Sequence, residues 1–265
     1  MAQYYPYEAY REEFAPAVED EASMLRRWNR RYSLNKLCHF VEQSEHEGGR
    51  LLDVGCGTGN FLAQMRERGA WKVFGLDVNQ KAVRYARQRL QIEAFCGTLT
   101  DAQYPSAFFD VVTLWNVLEH LHSPIRTLEE VRRVLRPGGA LILSVPNSRS
   151  MDARLFGPHW IGLDPPRHLY TFDQRTLRLL LAQAGFRILE VGHVTGSYHS
   201  FVTSTCLLLQ GRESLPQRTR KRLCRWLSSW AVHLLIFPYL KAVEVSGRGP
   251  ILTVRAKAAQ PRDSL

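Results

Sequence analysis

The 265-residue chain has no C-x-x-C pair, no internal repeat, no low-complexity run and no apolar stretch of membrane-spanning length. Its five cysteines (Cys38, Cys56, Cys96, Cys206 and Cys224) are odd in number and widely spaced. That spacing argues against a disulfide framework and a zinc ribbon, and fits a reducing compartment. The longest apolar stretch, Trp226 to Leu240, covers 15 residues and includes His233 and Pro238, short of the roughly 20 residues a spanning helix needs. The opening MAQYYPYEAYREEF has neither the basic start nor the apolar run of a secretory leader, so a cytoplasmic protein is expected. Basic charge is nearly missing from residues 1–25, where six acids face Arg11 alone.

The whole chain is nevertheless basic, with 35 Lys+Arg against 25 Asp+Glu and a net charge of +10. It is 45% hydrophobic and 23% charged, which excludes a disordered tail or a collagen-like chain and is enough to bury a substantial core. Residues 22–45, with Met24, Leu25, Trp28, Leu34, Leu37 and Val41 at roughly helical spacing, predict one or two helices.

From residue 50 short apolar runs alternate with longer amphipathic ones, the pattern of β-α-β units around a parallel sheet. Strands are predicted at Arg50–Val54, Lys72–Asp77, Ile92–Phe95, Phe109–Trp115, Ala140–Val145, Arg187–Val194 and Ile251–Arg255, and helices at 59–68, 79–90, 124–135 and 174–184. Ser123 is placed to cap the third helix, Pro124 suits its first turn, and Pro137-Gly138-Gly139 is expected to stop it. Asp173 and Gly185 punctuate the fourth in the same way. The expected division is a helical N-terminal cap at 1–46, a ligand-binding core at 47–196, a basic and apolar helical insertion at 197–249, and a final strand and tail at 250–265.

The strongest local signal is Leu51-Leu52-Asp53-Val54-Gly55-Cys56-Gly57-Thr58-Gly59-Asn60-Phe61-Leu62, a buried strand running through a glycine turn into a helix. A dinucleotide fingerprint starting at Gly55 requires glycine at 60, where Asn60 stands; the pattern is instead D-x-G-x-G-x-G. The next strand ends at Asp77, 24 residues after Asp53, where a carboxylate can accept both hydroxyls of a ribose.

These residues resemble the class I S-adenosylmethionine-dependent methyltransferases. The resemblance continues through Phe109-Asp110-Val111-Val112, Trp115-Asn116-Val117-Leu118-Glu119-His120-Leu121, and Val134-Leu135-Arg136-Pro137-Gly138-Gly139 running on to Asn147, and covers about residues 50–195. It implies a doubly wound α/β fold, a seven-stranded mostly parallel sheet with an antiparallel last strand. It also implies S-adenosylmethionine as cofactor and S-adenosylhomocysteine as product. Carried over residue by residue, Asp53, Gly55, Cys56, Gly57 and Gly59 face the methionine moiety. Asp77 faces the ribose, Leu99 the adenine edge and Asn116 the methionine end, with Val78 and Thr98 also among the cofactor-binding residues. Many relatives carry aspartate where Thr98 stands, so backbone groups of Thr98 and Leu99 are expected to take over the adenine contact.

The segment from Phe156 to Phe172 follows the fifth strand and mixes aromatic rings with Asp164, Arg167, His168 and Tyr170. It resembles a bacterial subgroup related in pattern to ubiquinone-type O-methyltransferases, in which Pro-Arg-His-Leu precedes the helix ending Ala184-Gly185-Phe186. Trp160, Arg167 and Tyr170 are the acceptor-binding candidates. Methyl transfer is an in-line displacement that demands alignment and exclusion of water. A hydroxyl acceptor also needs its proton removed, and His168 and His120 are the candidate bases. Glu119-His120-Leu121-His122 could suggest a metal site, but its two histidines stand two apart and point differently from a helix and no further ligand cluster is evident, so no catalytic metal is expected.

Residues 212–225 hold six basic side chains against Glu213, with Trp226-Leu227 and Leu234-Leu235-Ile236-Phe237 beyond. Such a stretch suits peripheral contact with an anionic membrane at its inner face through residues 212–240, capture of a lipid-linked acceptor, or a homodimer contact. The acceptor is left open among a small molecule, a sugar and a lipid-linked group, methylated at oxygen in the preferred reading. An RNA-modifying enzyme and a binding protein without transfer activity are the alternatives; with no appended RNA-binding motif, nucleic acid is not the expected partner.

Overall fold

The computed structural model describes residues 24–259 apart from 45, 47, 195, 212–215 and 228. The acidic segment preceding Met24, and Arg212 and Glu213 of the basic stretch, lie outside the described residues. A single helix α1 (Met24–Glu42) leads into β1 (Gly49–Val54), α2 (Asn60–Glu67), β2 (Trp71–Asp77), α3 (Gln80–Leu90), β3 (Glu93–Cys96) and β4 (Phe109–Trp115). Then follow α4 (Pro124–Val134), β5 (Leu135–Pro146), α5 (Met151–Phe156), α6 (Gln174–Gln183), β6 (Phe186–Gly192), three helices α7 (Ser197–Gln210), α8 (Gln217–Leu227) and α9 (Trp230–Val245), and β7 (Ile251–Ala258).

The seven strands form one sheet in the order β3-β2-β1-β4-β5-β7-β6, with β7 antiparallel to both its neighbours and the other pairs parallel. The strand period of two splits the apolar residues between two faces. Leu52, Val54, Phe74 and Val112 pack with Leu128 and Val131 of α4 and Leu177 and Leu181 of α6. Leu51, Val73, Val111 and Ile142 pack with Phe40 and Val41 of α1, Leu62 and Met65 of α2 and Val83 of α3. A sheet covered on both faces explains why its central strands read as continuous apolar runs.

Helix ends show where local chemistry decided the outcome. Asp173 forms a reciprocal capping box with Thr176 at the start of α6, and Gly185, at φ +81°, closes its far end. Replacing Asp173 by alanine should cost about 1 kcal/mol of stability, read as a lowered melting temperature with cofactor affinity unchanged. Ser123 occupies the cap position of α4 but its side chain accepts no capping bond. Nor does Pro137-Gly138-Gly139 stop that helix, which ends at Val134 as the chain enters β5 directly. The Pro-Gly-Gly residues instead form an irregularity within β5, where Phe109 pairs with Leu135 and Val111 with Ala140, and Gly138 takes φ +82°.

Trp28 of α1 stacks on Tyr32 and meets Trp230 of α9 at a centroid distance of 5.5 Å, while Tyr198 of α7 packs on His233 at 4.5 Å. Aromatic contacts thus join α7 and α9 to the first helix. Among the described residues no helix is long and apolar enough to cross a membrane.

Candidate active site

The sheet order places β1 between β2 and β4, so successive crossovers leave β1 in opposite directions and a crevice opens beyond its carboxyl end. The glycine turn lines that crevice. Gly55, Gly57 and Gly59 have φ of +77°, +53° and +83°, values that side chains rarely adopt. A Cβ at Gly55 would lie 2.5 Å from Val117 Cγ2. The turn and the residues after β4 are therefore in direct contact.

Asp77 fastens the turn. Its Oδ2 accepts the Gly57 N–H at 2.8 Å and its Oδ1 the Asn79 N–H at 2.8 Å, leaving a lone pair on each oxygen for further donors. Burial holds this carboxyl above its usual range, opposed by the two backbone donors. Asp53 is buried and accepts from Thr113 Oγ1 at 2.7 Å; desolvation pushes it up to about 8. Cys56 is buried, with its thiol raised by burial. Val78 is exposed beside Asp77, and Asn116 is an exposed left-handed residue (φ +52°) just beyond β4. A glycine-rich turn whose Cys56 and Thr58 side chains are buried, two acceptor carboxyls and an apolar edge fit the ribose diol, amino group and ring of S-adenosylmethionine.

At the adenine end the structure alters one expectation. The N–H and hydroxyl of Thr98 both go to Asp101 Oδ2, at 2.9 and 2.6 Å, so neither donor of Thr98 is left for the expected adenine contact. Asp101 returns a carboxylate to this edge from three residues downstream, a position with no signal in the sequence pattern.

On the acceptor side the loop 160–170 docks on the 3₁₀ turn Leu118–His120. Glu119 O accepts the Leu169 and Tyr170 N–H groups, Tyr170 Oη donates to His122 O, and His120 Nδ1 pairs with Arg167 O at 2.9 Å. His168 Nδ1 meets Gly162 O at 2.8 Å, and the two imidazoles lie edge to face with centroids 4.6 Å apart. The two candidate bases are thus brought together from 48 positions apart, joined by Glu119, which the sequence analysis did not select.

Burial lowers His120 to about 4, lowers His168 as well, and pushes Glu119 up to about 8. Both Glu119 carboxyl oxygens are buried without a hydrogen-bond partner. Arg167 is engaged by Asp164 through Nε and a terminal nitrogen at 2.7 and 2.8 Å. Trp160 is 3% exposed. Tyr170 remains exposed, stacked on Phe172.

The raised carboxyls fix the sign of a pH effect. Asp53 and Glu119 titrate near 8 when folded and near 4 when unfolded. Between those values the folded state retains protons that the unfolded state has lost, so stability falls as pH rises. The lowered His120 and His168 act in the opposite sense below about pH 6.5, so calorimetry of the ligand-free protein should show a melting temperature that drops between about pH 6.5 and about pH 8. Glu119→Gln should flatten that slope, and an unchanged slope in the variant contradicts the assignment.

The match to known proteins is extensive. The methyltransferase domain model matches residues 25–191. A probable S-adenosylmethionine-dependent methyltransferase of Mycolicibacterium smegmatis is 33% identical over 178 residues, 65% of this chain and 63% of that one. A ubiquinone biosynthesis O-methyltransferase of Azoarcus sp. is 38% identical over 118 residues, 41% of this chain and 48% of that one. Ubiquinone/menaquinone C-methyltransferases also match. The chain spans about half to two thirds of the length of the first of these curated relatives. A crystal structure described as an S-adenosylmethionine-dependent methyltransferase, possible histamine N-methyltransferase, from Thermotoga maritima shares the fold at TM-score 0.60 and 17% identity, covering 97% of this chain and 99% of that one. The chain belongs to the methyltransferase domain family of S-adenosylmethionine-dependent methyltransferases.

Proposed function

We propose that the protein transfers the methyl group of S-adenosylmethionine to an oxygen of a lipid-linked acceptor. The observation that carries the oxygen reading is the Glu119–His120–His168 cluster, which sits just past β4 beside the cofactor turn. Methylating a hydroxyl requires its proton to leave, and two neutral imidazoles beside a buried carboxyl provide for that loss. His168 and His120 keep their acceptor-side role in this reading, with Tyr170 at the entrance. Arg167, held by Asp164, shapes the loop.

The lipid-linked reading is supported by the helices before β7. Helix α8 has no buried residue and carries Arg218, Arg220, Lys221, Arg222 and Arg225. Next to it Trp226, Trp230, Leu234, Leu235 and Phe237 are exposed, as are Trp28 and Tyr32 of α1. Basic side chains around exposed aromatic and aliphatic ones suit the face of an anionic bilayer.

The test incubates the protein with methyl-labelled S-adenosylmethionine and a bacterial lysate, then partitions the products. Alkali-stable label in the organic phase is the expected result. Label confined to polar metabolites overturns the lipid-linked acceptor, and precipitable, nuclease-sensitive label replaces it with RNA.

A further inference from the structure

We propose that Glu119, His120 and His168 form a binding site for a divalent first-row transition metal ion. One ligand-capable atom from each lies within 4.8 Å of the other two. Ligand atoms held about 2.1 Å from one ion lie closer together than that limit, so binding would draw the three side chains inward.

Three features distinguish this cluster from a chance gathering of polar groups. Glu119 is 0% exposed with neither oxygen hydrogen-bonded, an arrangement that is costly unless a proton or a cation compensates it. Each imidazole has its Nδ1 against a backbone carbonyl, Arg167 O for His120 and Gly162 O for His168. That contact places the proton on Nδ1 and the lone pair on Nε2, the outer hydrogen bond that metal-bound histidines characteristically make. Third, the local charge suits a cation. Asp164 Oδ2 lies 4.0 Å from His168 Nε2, and its charge is matched by Arg167, leaving Glu119 as the uncompensated group. A proton on Glu119 can satisfy one neighbouring acceptor, whereas a divalent ion satisfies all three groups.

Two imidazoles and one carboxylate favour zinc, iron, cobalt or manganese over calcium, and leave coordination positions open. The role given to the ion rests on the proposed oxygen methylation. With their Nε2 lone pairs on the ion the two imidazoles would hold it instead of acting as bases; coordination of the acceptor hydroxyl would lower its pKa and release its proton to water. The oxygen then forms the new C–O bond as the C–S bond breaks, with its electron pair returning to sulfur as neutral S-adenosylhomocysteine.

The test titrates chelator-treated protein with Co²⁺ and follows visible absorption, with S-adenosylhomocysteine binding measured in parallel. One equivalent should bind with a ligand-field band. His168→Ala and Glu119→Gln should each weaken it more than about 100-fold, beyond the loss from disturbing an outer hydrogen-bond partner, while S-adenosylhomocysteine still binds. Absent binding, or binding that both variants leave unchanged, overturns the site. Should a variant fail to fold, anomalous diffraction from Zn²⁺-soaked wild-type crystals decides: a peak among the three side chains supports the site and its absence refutes it. Undiminished methyl transfer by chelator-treated protein removes the catalytic role alone. Stoichiometric Co²⁺ binding without methyl transfer to any lysate component leaves the metal site standing and overturns the proposed function.

Discussion

Asp77→Ala should abolish most cofactor binding while leaving the sheet intact. In the free protein the carboxylate joins the Gly57 and Asn79 N–H groups, so alanine releases the turn and also removes the acceptors for the ribose hydroxyls. Hydrogen bonds to a charged group contribute about 1.5–3 kcal/mol each. Losing two ribose contacts therefore costs at least about 3 kcal/mol, a drop of roughly 100-fold in affinity. Titration calorimetry with S-adenosylhomocysteine measures it directly. Asp77→Asn should fall between the two, because its amide nitrogen cannot accept the N–H that Oδ1 or Oδ2 accepts now. An alanine variant with wild-type affinity would remove Asp77 from the ribose site.

Gly55→Val should damage both halves of the site at once. The position has φ +77°, and any Cβ there meets the Val117 side chain at 2.5 Å. A β-branched residue in the left-handed region costs on the order of 1–3 kcal/mol, and overpacking against Val117 costs a similar amount. A loss of about 3 kcal/mol lowers the melting temperature by roughly 6–12 °C in a protein of this size. Displacing Val117 also shifts Asn116 and Glu119 on either side of it. Cofactor affinity and methyl transfer should therefore fall together, whereas Asp173→Ala, whose contacts are the start of α6 and Arg149, should lower stability alone. A Gly55→Val protein with normal melting and normal affinity would show that turn and cluster are not coupled.

Elements whose identity is set by local pattern were readable from the sequence. The predicted β4 ends coincide with the observed ones, because the apolar run Phe109–Trp115 is a central strand bounded by a loop and the left-handed Asn116. The glycine turn and Asp77 were readable for the same reason, since a positive φ and a strand end leave marks at fixed spacing. Features set by tertiary contact were hidden. Pro137-Gly138-Gly139 has the composition of a helix stop, yet pairing of Leu135 with Phe109 draws the strand in ahead of it. The burial of the Trp160 ring was equally without a mark in the local pattern. His168 and the Glu119-His120 pair lie too far apart in sequence for spacing to reveal that the loop 160–170 lays one on the other. Glu119-His120-Leu121-His122 could be weighed as a metal-ligand set but was set aside, because His168, the third group of the cluster, lies 48 positions beyond His120.

The most direct test of the account is a crystal structure with S-adenosylhomocysteine bound. The account predicts the ribose hydroxyls within about 3 Å of the Asp77 carboxylate, the amino acid end along Gly55–Gly59, and the sulfur facing Asn116 on the side of Glu119, His120 and His168. A sulfur turned away from that cluster, or a ligand bound outside the crevice between β1 and β4, would contradict it.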